Sequence, residues 1–148
     1  MVRYTMNNEF TGTPVLWTPV LTFATPGDLS VAYTTQKGYF LKFGHLIIAS
    51  FVLVTSSFTF STASGNLRFT GLPYTSSNLS NYGAIGSCIW NGITKAGYTQ
   101  INPSVVANVS YIQFAGSASG SAISLVTAAD TPSAGQINIQ GSVNYMVD

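Results

Sequence analysis

The segment Gln136-Ile137-Asn138-Ile139-Gln140-Gly141-Ser142-Val143-Asn144-Tyr145-Met146-Val147 decides the fold class. Ile137, Ile139, Val143, Tyr145 and Val147 stand at alternate positions, with Gln136, Asn138, Gln140, Ser142 and Asn144 between them. Successive side chains of a strand point to opposite sides, so this run has one apolar and one wet face. A helical period of about 3.6 would scatter the same residues around its axis. Gly141 falls on the apolar side, as expected at a bulge or where a neighbour packs closely.

The rest of the chain has the same character. Val, Ile, Phe, Tyr and Thr are abundant, and short apolar runs alternate with clusters of Gly, Pro, Ser and Asn. This predicts further strands over residues 16–23, 29–34, 39–43, 46–55, 66–70, 82–90, 105–114 and 122–127. Thr25-Pro26-Gly27-Asp28 suits a tight turn, and Ser64-Gly65-Asn66 and Asn91-Gly92 suit hairpin reversals. With residues 115–120 as a small-residue loop, about eight to ten strands result. The expected fold is all-β, a jelly-roll-like antiparallel β-sandwich spanning residues 15–148 as one domain. Residues 1–14 lack periodicity and are expected to form a short N-terminal arm.

Only 6% of the 148 residues are charged, against about 25% in an average soluble domain. A net charge of +1 gives little mutual repulsion, so burial of surface against further copies is expected. The strand over residues 46–54 points the same way. Leu46, Ile48, Val52 and Val54 lie on one side, while Ile47, Ala49, Phe51 and Leu53 lie on the other. Sandwich strands ordinarily keep one face in water, so a strand apolar on both must meet a loop or a partner. Leu46, Ile48, Phe51 and Leu53 are the expected oligomer contacts.

Several functions are disfavoured. Arg3, Lys37, Lys42, Arg68 and Lys95 are scattered, which rules out a basic nucleic-acid surface. Mean hydropathy is positive, yet the apolar run at 46–54 is too short for a spanning helix of about 20 residues. Membrane insertion is not expected. The only cysteine, Cys88, sits in an apolar strand and reads as buried and inert. His45 is the only histidine, so one chain cannot build a His-rich metal site. Asp28 and Asp130 lie in Pro-containing turns, where Asp commonly bonds its own backbone, while Glu9 and Asp148 lie at the chain ends. No enzyme activity, cofactor or metal is expected. Tyr74, Tyr82, Trp90 and Tyr98 lie near turns rich in Gly, Asn and Ser, and are candidates for stacking on sugar rings.

One stretch carries a resemblance. Trp17-Thr18-Pro19 is followed by Tyr33, Gln36, Gly38, Tyr39, Lys42 and Gly44, a long apolar strand and then Gly71-Leu72-Pro73-Tyr74. These residues, spread over about half the chain, resemble the β-sandwich heads of bacteriophage tail fibres and tailspikes. The resemblance implies a homotrimeric structural protein on the virion surface.

Two roles are expected from it. An opening at Met1 with only a short arm suggests direct docking on the particle. The first expectation is therefore a capsid decoration or cement protein that stabilises the head shell. Its arm residues Arg3, Tyr4, Glu9 and Phe10 would contact the major capsid protein. The alternative is a receptor-binding head, carried on a tail-fibre shaft and recognising host surface glycans.

Overall fold

The computed structural model describes residues 12–79 and 83–148. Eleven strands run among them. They are β1 Val15–Trp17, β2 Val20–Thr25, β3 Ser30–Phe43, β4 Leu46–Thr59, β5 Ser64–Thr70, β6 Ala84–Ile85, β7 Ser87–Asn91, β8 Gln100–Val105, β9 Tyr111–Ser117, β10 Ser124–Leu125 and β11 Asn138–Met146. A single 3₁₀ turn, Ala128–Asp130, precedes β11. Sheet A has the order β1-β3-β4-β11-β7, and sheet B the order β2-β5-β9-β8-β6 with β10 on β9. All pairings are antiparallel, and the two sheets close on each other as the expected all-β sandwich.

Backbone chemistry explains where the chain changes sheets. The predicted strand over residues 16–23 is two strands in different sheets, divided at Thr18-Pro19. Proline has no N–H for a ladder, so a continuous central strand there would lose a bond. The predicted strand over residues 82–90 likewise divides at Gly86 into β6 of sheet B and β7 of sheet A. The strands predicted at 29–34 and 39–43 instead merge into β3, which pairs along β4 with register shifts beside Tyr33. Residues 106–110, which the sequence assigned to a strand, form the turn between β8 and β9.

The core lies between the sheets and is richest in phenylalanine. Phe51 of β4 meets Phe69 of β5 and Phe114 of β9 across the gap, with ring centroids 5.4 and 6.3 Å away. Phe69 and Phe114 are themselves 4.8 Å apart, near edge-to-face. A second trio, Phe23, Phe58 and Phe60, fills one end. Each such aromatic pair adds about 0.5–1.5 kcal/mol beyond the area it buries.

The neighbours of Phe51 in register are Gly38 on β3 and Gly141 on β11, where other side chains pack closely. A methyl group at Gly38 would fall within the Trp17 indole, whose Nε1–H donates to the Ser50 carbonyl at 3.1 Å. At Gly141 it would lie 2.6 Å from the Cys88 Cβ. The sequence expectation of close packing at Gly141 is thereby met.

Phe51 and Leu53 were expected at an oligomer contact, and the structure corrects both. They are 2% and 0% exposed and point into the protomer's own core. The alternation of β4 turns Leu46, Ile48, Val52 and Val54 outward instead. Phe51→Ala should therefore destabilise the fold by about 3–5 kcal/mol, measured by denaturant unfolding.

Candidate functional site

Two surfaces and a few polar clusters are available for function. The outer face of sheet A is built from the outward positions of its strands. Register aligns Leu41, Ile48 and Asn144 in one row and Lys37, Val52, Gln140 and Ile89 in another. Leu46 and Met146 pair beside them, and Leu16 and Tyr39 pair at the β1 margin. Ile89, Leu16 and Tyr39 are 69%, 66% and 46% exposed. Lys37 is the charged side chain among these positions, and Asn138, Gln140, Ser142 and Asn144 of β11 stand outward beside Ser50 and Ser87, so the face mixes aliphatic with uncharged polar side chains. Its aliphatic part, with Leu41, Leu46, Ile48 and Val52, is a candidate contact surface. The expected contacts Leu46 and Ile48 lie on it.

The outer face of sheet B differs. Burial alternates along Asn66-Leu67-Arg68-Phe69-Thr70 and along Tyr111-Ile112-Gln113-Phe114, with the polar side chains outward. Thr22, Arg68 and Gln113 stand in one row, and Thr70 pairs with Tyr111 in the next. Sequence inspection missed this group. The alternation was visible, but strands far apart in the chain had first to be placed in register.

The sequence-predicted aromatics are not brought together. Tyr74 is 40% exposed, lies edge-on to Phe40 at 5.9 Å and carries the Lys42 ammonium over its ring at 4.4 Å. Trp90 shares the inward side of β7 with Cys88 and packs partly against the core. It pairs with Ile139, whereas the Tyr145 hydroxyl donates to the Tyr74 carbonyl at 3.1 Å. Trp90 and Tyr74 thus flank opposite ends of β11. Tyr98 donates its hydroxyl to the Ala122 carbonyl at 2.9 Å, with Lys95 over its ring. Tyr82 and the arm residues Arg3, Tyr4, Glu9 and Phe10 lie outside the described residues.

The titratable groups serve the fold. Asp28 does not bond its own turn, as the sequence suggested, but reaches the β4–β5 connection. The Ser61 hydroxyl donates to it at 2.5 Å, the Thr62 hydroxyl at 2.9 Å, and both backbone N–H groups at 2.7–3.0 Å. These bonds, led by the Ser61 hydroxyl, hold the carboxyl well below its ordinary range. At Asp130 burial opposes ionisation, but Thr127 and Lys95 outweigh it and lower the pKa. The Lys95 ammonium lies 3.0 Å from the carboxylate. His45 Nδ1 lies 3.0 Å from the Val147 carbonyl, tying the β3–β4 turn to the chain end. Burial pushes the Cys88 thiol up to about 11, far from the range of a reactive thiolate. No group of three metal-ligating side chains occurs among the described residues.

A cleft of about 550 Å³ lies between the β4–β5 connection and the 3₁₀ turn, lined by Phe60, Ser64, Gly65, Thr127, Thr131 and Ser133 among others. Neither Asp28 nor Asp130 lines it, so it brings no pair of carboxylates to a common substrate.

Fold and surfaces together define a two-sheet antiparallel sandwich module in which sheet A carries aliphatic rows among uncharged polar residues and sheet B is polar. Among solved structures it is similar to the Dettilon tailspike protein (gp208), with a TM-score of 0.62 and 25% identity over 89% of this chain. The chain spans 23% of the length of that tailspike. No protein-family model matches the sequence, and no curated protein does. The phage-tail resemblance of the β3 region thus has a structural counterpart.

The Asp28 bonds set a pH dependence. A depressed folded-state pKa contributes stability above the ordinary value of 3.8, and that contribution is lost as pH falls toward the depressed value. Asp28→Asn should therefore melt below the wild type near neutral pH, with the difference narrowing only below pH 3.8 in thermal scans.

Proposed function

We propose that this chain is a phage structural module, the sandwich head of a tail fibre or tailspike, exposed on the virion surface. On this reading it forms a homotrimer through the outer face of sheet A, follows a fibre shaft and recognises a host surface glycan. The observation that carries it is the similarity to a tailspike over 89% of the chain. The alternative is a head decoration protein clamping the major capsid protein. A tailspike neighbour favours the tail.

The protein would act by binding and assembly without turnover. In support, Asp28 and Asp130 are committed to local hydrogen bonds, and His45 and Cys88 to backbone carbonyls. Assembly through sheet A is supported by its outward rows. A chain with 6% charged residues leaves Leu46, Ile48, Val52 and Val54 facing away from the core. Covering them against like rows gains about 25 cal/mol per Å² of apolar surface removed from water.

Two measurements test the proposal. Light scattering should give the mass of a trimer for the wild type and of a folded monomer for Ile48→Asp and Val52→Asp. A wild-type monomer would remove the assembly claim. The purified protein should bind host cells and not empty capsids; the reverse result would favour the decoration role.

A further inference from the structure

The polar face of sheet B holds a cation with no anionic partner among the described residues. Arg68 lies over the Tyr111 ring, Cζ 4.2 Å from its centroid, between Thr22 and Gln113 in register. Its Nε is enclosed without a hydrogen-bond acceptor. The guanidinium forms no ion pair among the described residues, whose only salt bridge joins Lys95 and Asp130. The Gln113 amide and the Tyr111 hydroxyl make no hydrogen bond there either. None of the outward positions on β2, β5, β9 and β8 is acidic.

Partial burial of a guanidinium without an anion is costly, and stacking on one ring offsets only part of that cost. The ring contact restrains the guanidinium, which leaves its terminal nitrogens as donors for a planar or tetrahedral oxyanion. A lone cation gives too little counterion release to hold a nucleic acid. A protein interface would want aromatic or aliphatic anchors at its centre, where this face presents amides and hydroxyls.

We propose that this face binds an acidic saccharide, with Arg68 taking a sugar oxyanion and the Gln113 amide and Tyr111 hydroxyl bonding neighbouring sugar hydroxyls. The inference rests on the host-glycan reading above and names its ligand class. Carboxylate and phosphate share the required geometry.

The test is retention of the trimeric protein on immobilised bacterial surface polysaccharides. Uronic-acid chains are compared with their carboxyl-reduced forms, phosphorylated chains with their dephosphorylated forms, and neutral chains serve as reference. Wild type should be retained on an acidic chain and released by its neutralised form. Arg68→Gln, with unchanged melting temperature, should weaken retention on the order of tenfold or more. Gln113→Ala and Tyr111→Phe remove groups that make no hydrogen bond among the described residues, and should weaken it in the same direction if Arg68→Gln perturbs folding. Retention on neutral chains that Arg68→Gln leaves unchanged would overturn this site while leaving a glycan receptor standing. Retention on no polysaccharide would overturn both.

Discussion

The contact of Phe51 with Phe69 and Phe114 is the constraint on which the remaining geometry depends. β4 lies inside sheet A, between β3 and β11, so its register sets that of both neighbours. Strand side chains alternate with a period of two, and a slip by one residue would exchange every inward and outward position. Seating Phe51 inward therefore also fixes Ile48 and Val52 outward. Gly38 and Gly141 beside it admit the Trp17 indole and the β7 backbone at Ser87 and Cys88 close to the sheet.

A sandwich with two solvated outer faces would spread its polar residues over both. Here both faces carry polar residues, and the outward aliphatic rows stand on sheet A. Sheet A presents Leu41, Leu46, Ile48 and Val52 beside Lys37 and the polar residues of β11, while sheet B presents Thr22, Arg68, Thr70, Tyr111 and Gln113. The few charges away from these faces are used as staples. Asp28 joins the β2–β3 turn to the β4–β5 connection, and Lys95–Asp130 pins the 3₁₀ turn. On the proposed reading sheet A serves assembly and sheet B recognition, and the tailspike similarity supports a common setting for both.

Much of the fold was legible because β-strands declare themselves locally. The alternation in residues 137–147 and the double apolar character of residues 46–54 both required only neighbouring residues. Their parity was readable, but which parity faced inward was not, since Phe51 is seated by residues of β5 and β9. The same limit applies to Asp28, whose donors lie 33 and 34 residues away. Arg68 and Gln113 become neighbours only through the β5–β9 pairing. The sheet changes at Pro19 and Gly86 were marked by residue type, yet apolar runs on either side masked them. The candidate sugar-stacking residues meet the same limit: turn proximity in sequence does not say that Tyr74, Trp90 and Tyr98 lie on different parts of the fold.

Hydroxyl-radical footprinting of the assembled protein tests the division of faces most directly. Met146 on the outer face of sheet A should be protected from oxidation in the assembly and labelled in the Ile48→Asp variant. Tyr111 on sheet B should be labelled equally in both. A Met146 oxidised equally in both, together with a Tyr111 protected by assembly, would contradict the account.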